Sequence, residues 1–336
     1  MINMSKRWLL VLAVVIMPAC SRNLAPSAPS PVVVVATPTP APTSTPGWTL
    51  SGTVTPLNGH ARSGVRVTFD GQTVETDAAG HYTLLYTASG AGLVSATFGS
   101  FWLERRLFIQ GGRDRVLNLD PIALAAPFDV NFYRELARGG ATNAPLSHLP
   151  ASVRVYLRTV DDTGTAIDIA SLDAVASTLQ STIGLWNGGR FGVGGIERGT
   201  GSRAEQAGWI TINWKDIPGF CGQSTIGFDG GHIDFATRSP SGCRCGSTLV
   251  RPRTIRHELG HAMGFYHTSD TSDLMSGTPV AGCDALPSSR EQFHAAIAYA
   301  RPNGNTDPDF DPPTALTSST ARAIRTPITV SCPAPR

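Results

Sequence analysis

The chain has 336 residues, 41% of them hydrophobic and 15% charged, which suits a globular protein long enough for two domains or for one domain with long appendages. Its formal charge of +2 comes from Lys6 and Arg7 near the N-terminus; beyond them, 25 basic side chains stand against 25 acidic ones. A neutral chain with no basic run offers no electrostatic footprint for nucleic acid, and that class of partner is set aside.

Residues 1–20 read as an export signal. Lys6 and Arg7 open it, Trp8 to Met17 form an apolar core, and the small residues Ala19 and Cys20 follow. Ten apolar residues fall short of the roughly 20 a helix needs to cross a bilayer, so an uncleaved anchor is the lesser alternative. Met17-Pro18-Ala19-Cys20 resembles a bacterial lipobox, with Met and Pro at positions that usually hold other residues. The resemblance implies lipidation at Cys20, export, and attachment to the bacterial envelope (outer membrane or cell surface), with membrane contact only through that anchor. Residues 21–46 are rich in Pro, Ser, Thr and Ala and almost free of charge, the composition of an extended tether.

From residue 47 to 120 the pattern becomes short alternating runs broken by Gly and Asn. Val65, Val67 and Phe69 share one face while Arg66 and Thr68 share the other, the period of a half-buried strand. Asp77 to Gly80 supplies a turn and Tyr82 to Tyr86 the next strand. Ser51-Gly52-Thr53-Val54, Gly64-Val65-Arg66-Val67 and Thr76 to Tyr82 together resemble the carboxypeptidase regulatory-like β-sandwich. The resemblance implies a small accessory module without chemistry of its own, in which His60 and His81 are surface or turn residues.

Residues 121–149 are a lead-in with a helical turn or two around Phe132 to Ala137. Beyond them, residues 150–301 form a mixed α/β block. Val153, Val155 and Leu157 alternate as a strand; Leu172, Val175, Ala176, Leu179, Ile183 and Trp186 make one helical stripe, stopped at Gly188 and Gly189. Ile210, Ile212 and Trp214 mark a strand, and Ile233 with Phe235 another. Ser288 and Glu291 read as a capping box that opens a last helix, ended by Pro302. Residues 302–336 return to Pro, Thr and Asp and are expected to be loosely ordered, with Cys332 able to pin them. The fold class expected is α+β, with a small all-β module ahead of a mixed domain.

Six cysteines in an exported chain raise the question of disulfides. With Cys20 lipidated, Cys221, Cys243, Cys245, Cys283 and Cys332 remain, the simplest arrangement being two bridges and one leftover thiol. Cys221 with either Cys243 or Cys245 is the favoured first pair. A zinc site built on Cys243 and Cys245 is the rival, thinly supported without a second pair nearby.

The segment that carries chemistry is His257-Glu258-Leu259-Gly260-His261-Ala262-Met263-Gly264-Phe265-Tyr266-His267. At about 100° per residue, His257 and His261 lie about 40° apart, one helical turn above the other. Both imidazoles can reach one ion, while Ile255, Leu259 and Ala262 form an apolar back. Gly264 permits a sharp turn that brings His267 back as a third ligand. Three histidines leave a fourth position open, which distinguishes a catalytic zinc from a closed structural one. With Gly264 and His267 included, the pattern arises by chance in roughly one chain of this length in tens of thousands.

These eleven residues resemble the metzincin zinc motif, and Asp273-Leu274-Met275-Ser276 resembles the methionine turn of that family. Met275 follows His267 closely, and Thr268 to Asp273 is similar to the matrixin branch. The resemblance implies a metzincin-like catalytic domain (a twisted mixed sheet and a zinc helix), one catalytic Zn2+, and Met275 as an apolar floor. It further implies Glu258 as general base, a protein or peptide substrate, a monomer, and a strand near Ile233 to Ala236 that receives substrate along its edge. No Pro-Arg-Cys-Gly latency switch lies upstream. Calcium has no convincing loop; Asp229-Gly230-Gly231-His232 is the nearest stretch, and His232 reads as a strand residue. Two further functions stay open, a cell-surface binding lipoprotein with a metallopeptidase-like domain and a zinc amidase acting on cell wall.

Overall fold

The computed structural model describes residues 47–149, 152–204, 206–227, 230–238, 241–278, 282–313 and 329–333. The lipidation candidate Cys20, the signal, the tether and Asp229 lie outside them. The described part is α+β, with two small antiparallel-rich sheets followed by a six-stranded mixed sheet and four α-helices.

Seven strands precede the first helix: β1 (Trp48–Thr53), β2 (Arg66–Phe69), β3 (Gln72–Glu75), β4 (His81–Tyr86), β5 (Ala91–Thr97), β6 (Arg105–Gln110) and β7 (Arg115–Val116). They make a three-stranded sheet, β4-β1-β7, and a four-stranded one, β3-β2-β5-β6. Alternation decides which side of each strand is buried. In β4, Tyr82, Leu84 and Tyr86 face inward while His81, Thr83 and Leu85 are exposed. Leu50, Val67, Phe69 and Val94 complete that core.

The larger core belongs to the remaining elements. Helix α1 (Val130–Arg138) is capped by the Asp129 side chain, which accepts from the Asn131 and Phe132 amides. After it come β8 (Val153–Arg158), the long α2 (Ile169–Trp186), β9 (Val193–Gly199), β10 (Trp209–Lys215), β11 (Phe220–Thr225), β12 (Gly230–Ala236), α3 (Pro252–Ala262), α4 (Ser289–Tyr299) and β13 (Thr329–Pro333). The sheet runs β13-β11-β12-β10-β8-β9. Strands β9, β8, β10 and β12 are mutually parallel, and β11 is antiparallel to both its neighbours. Trp209 to Trp214 in β10 are buried on both faces, as a central parallel strand requires.

Two expectations change. Strand β12 is internal, between β10 and β11, so Ile233 to Ala236 have no free edge to offer a substrate. The edge nearest the histidine helix is that of β11, and β13 pairs with it. Nor are residues 302–313 loose. Asn305 and Asp309 are buried, and Asp309 accepts from Arg301 at 2.7 Å through each carboxylate oxygen. Arg105 of β6 joins the same cluster, pairing with Asp120 and Asp311, while Arg301 also pairs with Asp120. A polar composition suggests loose chain, but these carboxylates are held because two buried guanidiniums need counter-charges.

The disulfides are Cys221–Cys243 and Cys245–Cys283, which removes the Cys243/Cys245 zinc alternative. They close loops of 22 and 38 residues and tie β11 and the segment before α4 to the loop leading into α3. Among the described residues no helix is long and apolar enough to cross a membrane.

Candidate metal centre

Helix α3 begins with Pro252 at its first turn, where a missing N–H costs nothing. Ile255, Leu259 and Ala262 are fully buried on its inner side, so the helix is fixed by packing and its functional side chains inherit that rigidity. It ends where Gly264 adopts φ +109°. A side chain there would fall on the Ser147 carbonyl oxygen, so only glycine makes the turn. The Phe265 amide closes back onto the Gly260 carbonyl at 3.0 Å and the Tyr266 amide is held by the Leu136 carbonyl of α1 at 2.7 Å. His267 is thereby returned to the helix.

The three histidines meet. Their Nε2 atoms lie 3.1 to 3.2 Å apart, with His257 and His261 buried and His267 partly exposed. The protons of the first two can be placed by chemistry. His257 Nδ1 is 2.7 Å from the Leu274 carbonyl and His261 Nδ1 is 2.7 Å from the Phe265 carbonyl. A carbonyl accepts, so each Nδ1 carries the hydrogen and each Nε2 presents a lone pair. Lone pairs that close together repel unless a cation sits among them. Burial reinforces this by disfavouring imidazolium: it holds His257 down to about 3, with the charge of His267 adding to the effect, and lowers His261 and His267 as well. The donor set therefore fits a metal ion, and three neutral imidazoles suit a borderline ion such as zinc.

Glu258 lies beside this cluster, fully buried, and neither carboxylate oxygen has a hydrogen-bond partner. Burial raises its pKa well above the usual range, with the charge of Asp234 adding to the effect. The carboxylate rests against β11, where Gly222 leaves it room; a Cβ at that position would come within 2.8 Å of Oε1. An unpartnered buried carboxylate costs several kcal/mol without compensation, and a nearby cation supplies it.

Below the histidines, Met275 is fully buried and Leu274 supplies the carbonyl that orients His257. Glu291 of α4 holds that turn. Besides closing the capping box with Ser288, its carboxylate accepts from the Met275 amide at 2.8 Å and the Leu274 amide at 3.1 Å. Asp273 accepts from the hydroxyls of Thr268 and Ser288 and from Arg290, which closes the loop after His267 onto α4. The capping box was visible in the sequence, but its second role was not, because nothing local says which distant amides a carboxylate will reach. Gly222 gave no signal either.

No protein-family model matches the chain, and no curated protein matches its sequence. Among solved structures, a type II cohesin–X-dockerin complex from Acetivibrio cellulolyticus is similar at 23% identity and TM-score 0.20 over 22% of this chain and 55% of that one. A DUF3823 family protein from Parabacteroides merdae is similar at 17% identity and TM-score 0.20, over 23% and 47%. This chain thus spans about half the length of each. Metalloproteinase-II from Bacteroides fragilis is similar over 74% of this chain and 84% of its own, at 10% identity and TM-score 0.31. At such scores the likenesses carry no functional weight beside the chain's own residues.

Proposed function

We propose that this chain is a zinc-dependent endopeptidase of metzincin type, in which His257, His261 and His267 hold the ion and Glu258 is the general base. The observation that carries the reading is the convergence of three Nε2 atoms, 3.1 to 3.2 Å apart, beside a buried carboxylate with no partner of its own. A bound zinc ion supplies Lewis-acid chemistry, polarising a carbonyl and acidifying water. Glu258 takes a proton from the attacking water at its carboxylate and delivers it to the departing amine, a role worth about 10²–10⁴-fold. His257 and His261 are kept in the ligating tautomer by the Leu274 and Phe265 carbonyls, so neither ring has to reorganise. Met275 forms the apolar floor and is not a ligand. The signal and Cys20 support an exported, lipid-anchored enzyme.

The test is cleavage of a mixed peptide library by the chain, beside Glu258→Ala and a chelated sample. Cleavage that disappears in both controls, with zinc retained by Glu258→Ala, is the expected result. A Glu258→Ala chain as active as the parent sinks the role given to that residue. Intact peptides alongside stoichiometric zinc point instead to a restrained enzyme, to a cell-wall amide as substrate, or to a binding protein.

A further inference from the structure

The edge of the sheet beside Glu258 is already taken. Strand β11 is the outermost strand on that side apart from β13, and it packs against α3. Strand β13, close to the end of the chain, runs antiparallel to it: Thr225 pairs with Thr329, Ser224 with Val330, Gln223 with Ser331, Gly222 with Cys332 and Phe220 with Pro333. Gly222 is the residue whose missing side chain makes room for the Glu258 carboxylate. The chain's own extended segment therefore runs along the strand that packs against the Glu258 side chain and itself comes against α3.

An extended polypeptide that brings a peptide bond to Glu258 needs backbone partners beside it, and an exposed strand edge is the ordinary source of them. Strand β12 cannot serve, because both its edges are paired. Among the described strands packed against α3, β11 is the outermost ahead of β13. We propose that residues 329–333 are an intramolecular occupant of the substrate-binding edge, so that the C-terminal strand restrains the enzyme by competing with polypeptide substrate. The inference rests on the peptidase reading. A segment tethered in the same chain acts at an effective concentration in the millimolar range, enough to outcompete dilute substrate without high intrinsic affinity. Because the tail and substrate exclude each other, the restraint raises KM by the inverse of the fraction of molecules whose edge is free, and leaves kcat alone.

The test uses two full-length variants, Val330→Pro and Ser331→Pro. Successive N–H groups of a strand point to opposite sides, so one of the two faces β11 and the other faces away. Proline removes a ladder bond only in the first case, and edge positions facing away tolerate it. The expected result is that one variant lowers KM about tenfold or more at unchanged kcat, while the other behaves as the parent. A second readout is independent of catalysis: a fluorescein-labelled peptide spanning residues 327–334, added to each chain in the Glu258→Gln background. It should bind the released variant and not the parent. Peptide binding to the released variant with no cleavage by any chain would refute the peptidase reading and leave the occupied edge standing. Equal peptide binding by parent and both variants overturns the inference. So does loss of folding in both, which would make β13 an ordinary structural strand.

Discussion

Gly260 lies directly against Met275: a side chain at Gly260 would overlap the Met275 sulfur and come within 3.0 Å of Trp186 Cζ2. The glycine between the first two histidines is thus the place where the Met275 turn and α2 both press against α3. Gly260→Ala should destabilise the protein by about 1–3 kcal/mol through overpacking, although alanine favours a helix. Met275→Leu, which conserves volume, should cost less than about 1.5 kcal/mol. Urea unfolding of both variants checks the order; equal stability of Gly260→Ala and parent would contradict the contact.

Glu291 should matter more than a helix cap does. Its carboxylate accepts from the amides of Leu274, Met275 and Ser288. A lost cap costs typically about 1 kcal/mol, and each buried amide left without a partner adds about 1–3 kcal/mol. Glu291→Ala is therefore expected to lose more than about 2 kcal/mol and to bind zinc more weakly, since the Leu274 carbonyl that orients His257 shifts with the turn. Glu291→Gln, which keeps one acceptor oxygen, should fall between. Denaturant midpoints and zinc titration measure both.

Zinc should stabilise the fold through the three histidines. A ligand at about 100 times its dissociation constant adds about 2.7 kcal/mol to the folded state. Chelation is expected to lower Tm in the parent. His261→Ala should show a Tm that responds to neither zinc nor chelator. A parent whose Tm ignores zinc would count against the site.

Truncating the buried Arg301–Asp309 pair should cost far more than truncating the exposed Arg154–Glu197 pair. Arg301 and Asp309 are 0% and 1% exposed at the side chain, so Arg301→Ala takes both 2.7 Å contacts from a buried carboxylate that keeps only Asn305 and the more distant Arg105, and should cost up to about 3–5 kcal/mol. Arg154 and Glu197 are 53% and 44% exposed, and Arg154→Ala should cost no more than about 1 kcal/mol. Thermal melts of the two variants separate these cases directly.

Acid should weaken the fold through His294. Its Nδ1–H donates to the Arg290 carbonyl at 2.8 Å and its Nε2 accepts the Asp129 amide at 2.9 Å, which only the neutral ring can do. Burial, among the rings of Phe128 and Phe132, holds its pKa below the ordinary value. The unfolded chain then binds the proton more tightly than the folded one. The contribution is complete above about pH 6.5 and erodes as pH falls toward the folded pKa. Between about pH 7.5 and about pH 5.5 the parent should lose more stability than His294→Gln. Parallel slopes for the two chains would remove His294 as the cause.

What could be read from the sequence is what depends on short separations. His257 and His261 share a helix face because four residues make about one turn, and Ser288 with Glu291 cap α4 through the same local geometry. The alternation of β4 and β8 likewise states which side of each strand is buried. The sequence also singled out His267, because Gly264 permits a turn at a known distance. Strands β9, β11 and β13 escaped notice. Val193-Gly194-Gly195-Ile196 and Phe220-Cys221-Gly222-Gln223-Ser224-Thr225 have no period-two pattern, and their strand character comes from backbone pairing with partners far along the chain. The same holds for the second task of Glu291, for the Arg301–Asp309 cluster, and for the room that Gly222 gives Glu258. Periodicity records which side of an element is apolar, and spacing records which side chains share a turn. Which strand lies at an edge, and which glycine meets a carboxylate, is decided only when elements distant in the chain pack together, because those contacts exist between surfaces and not within segments.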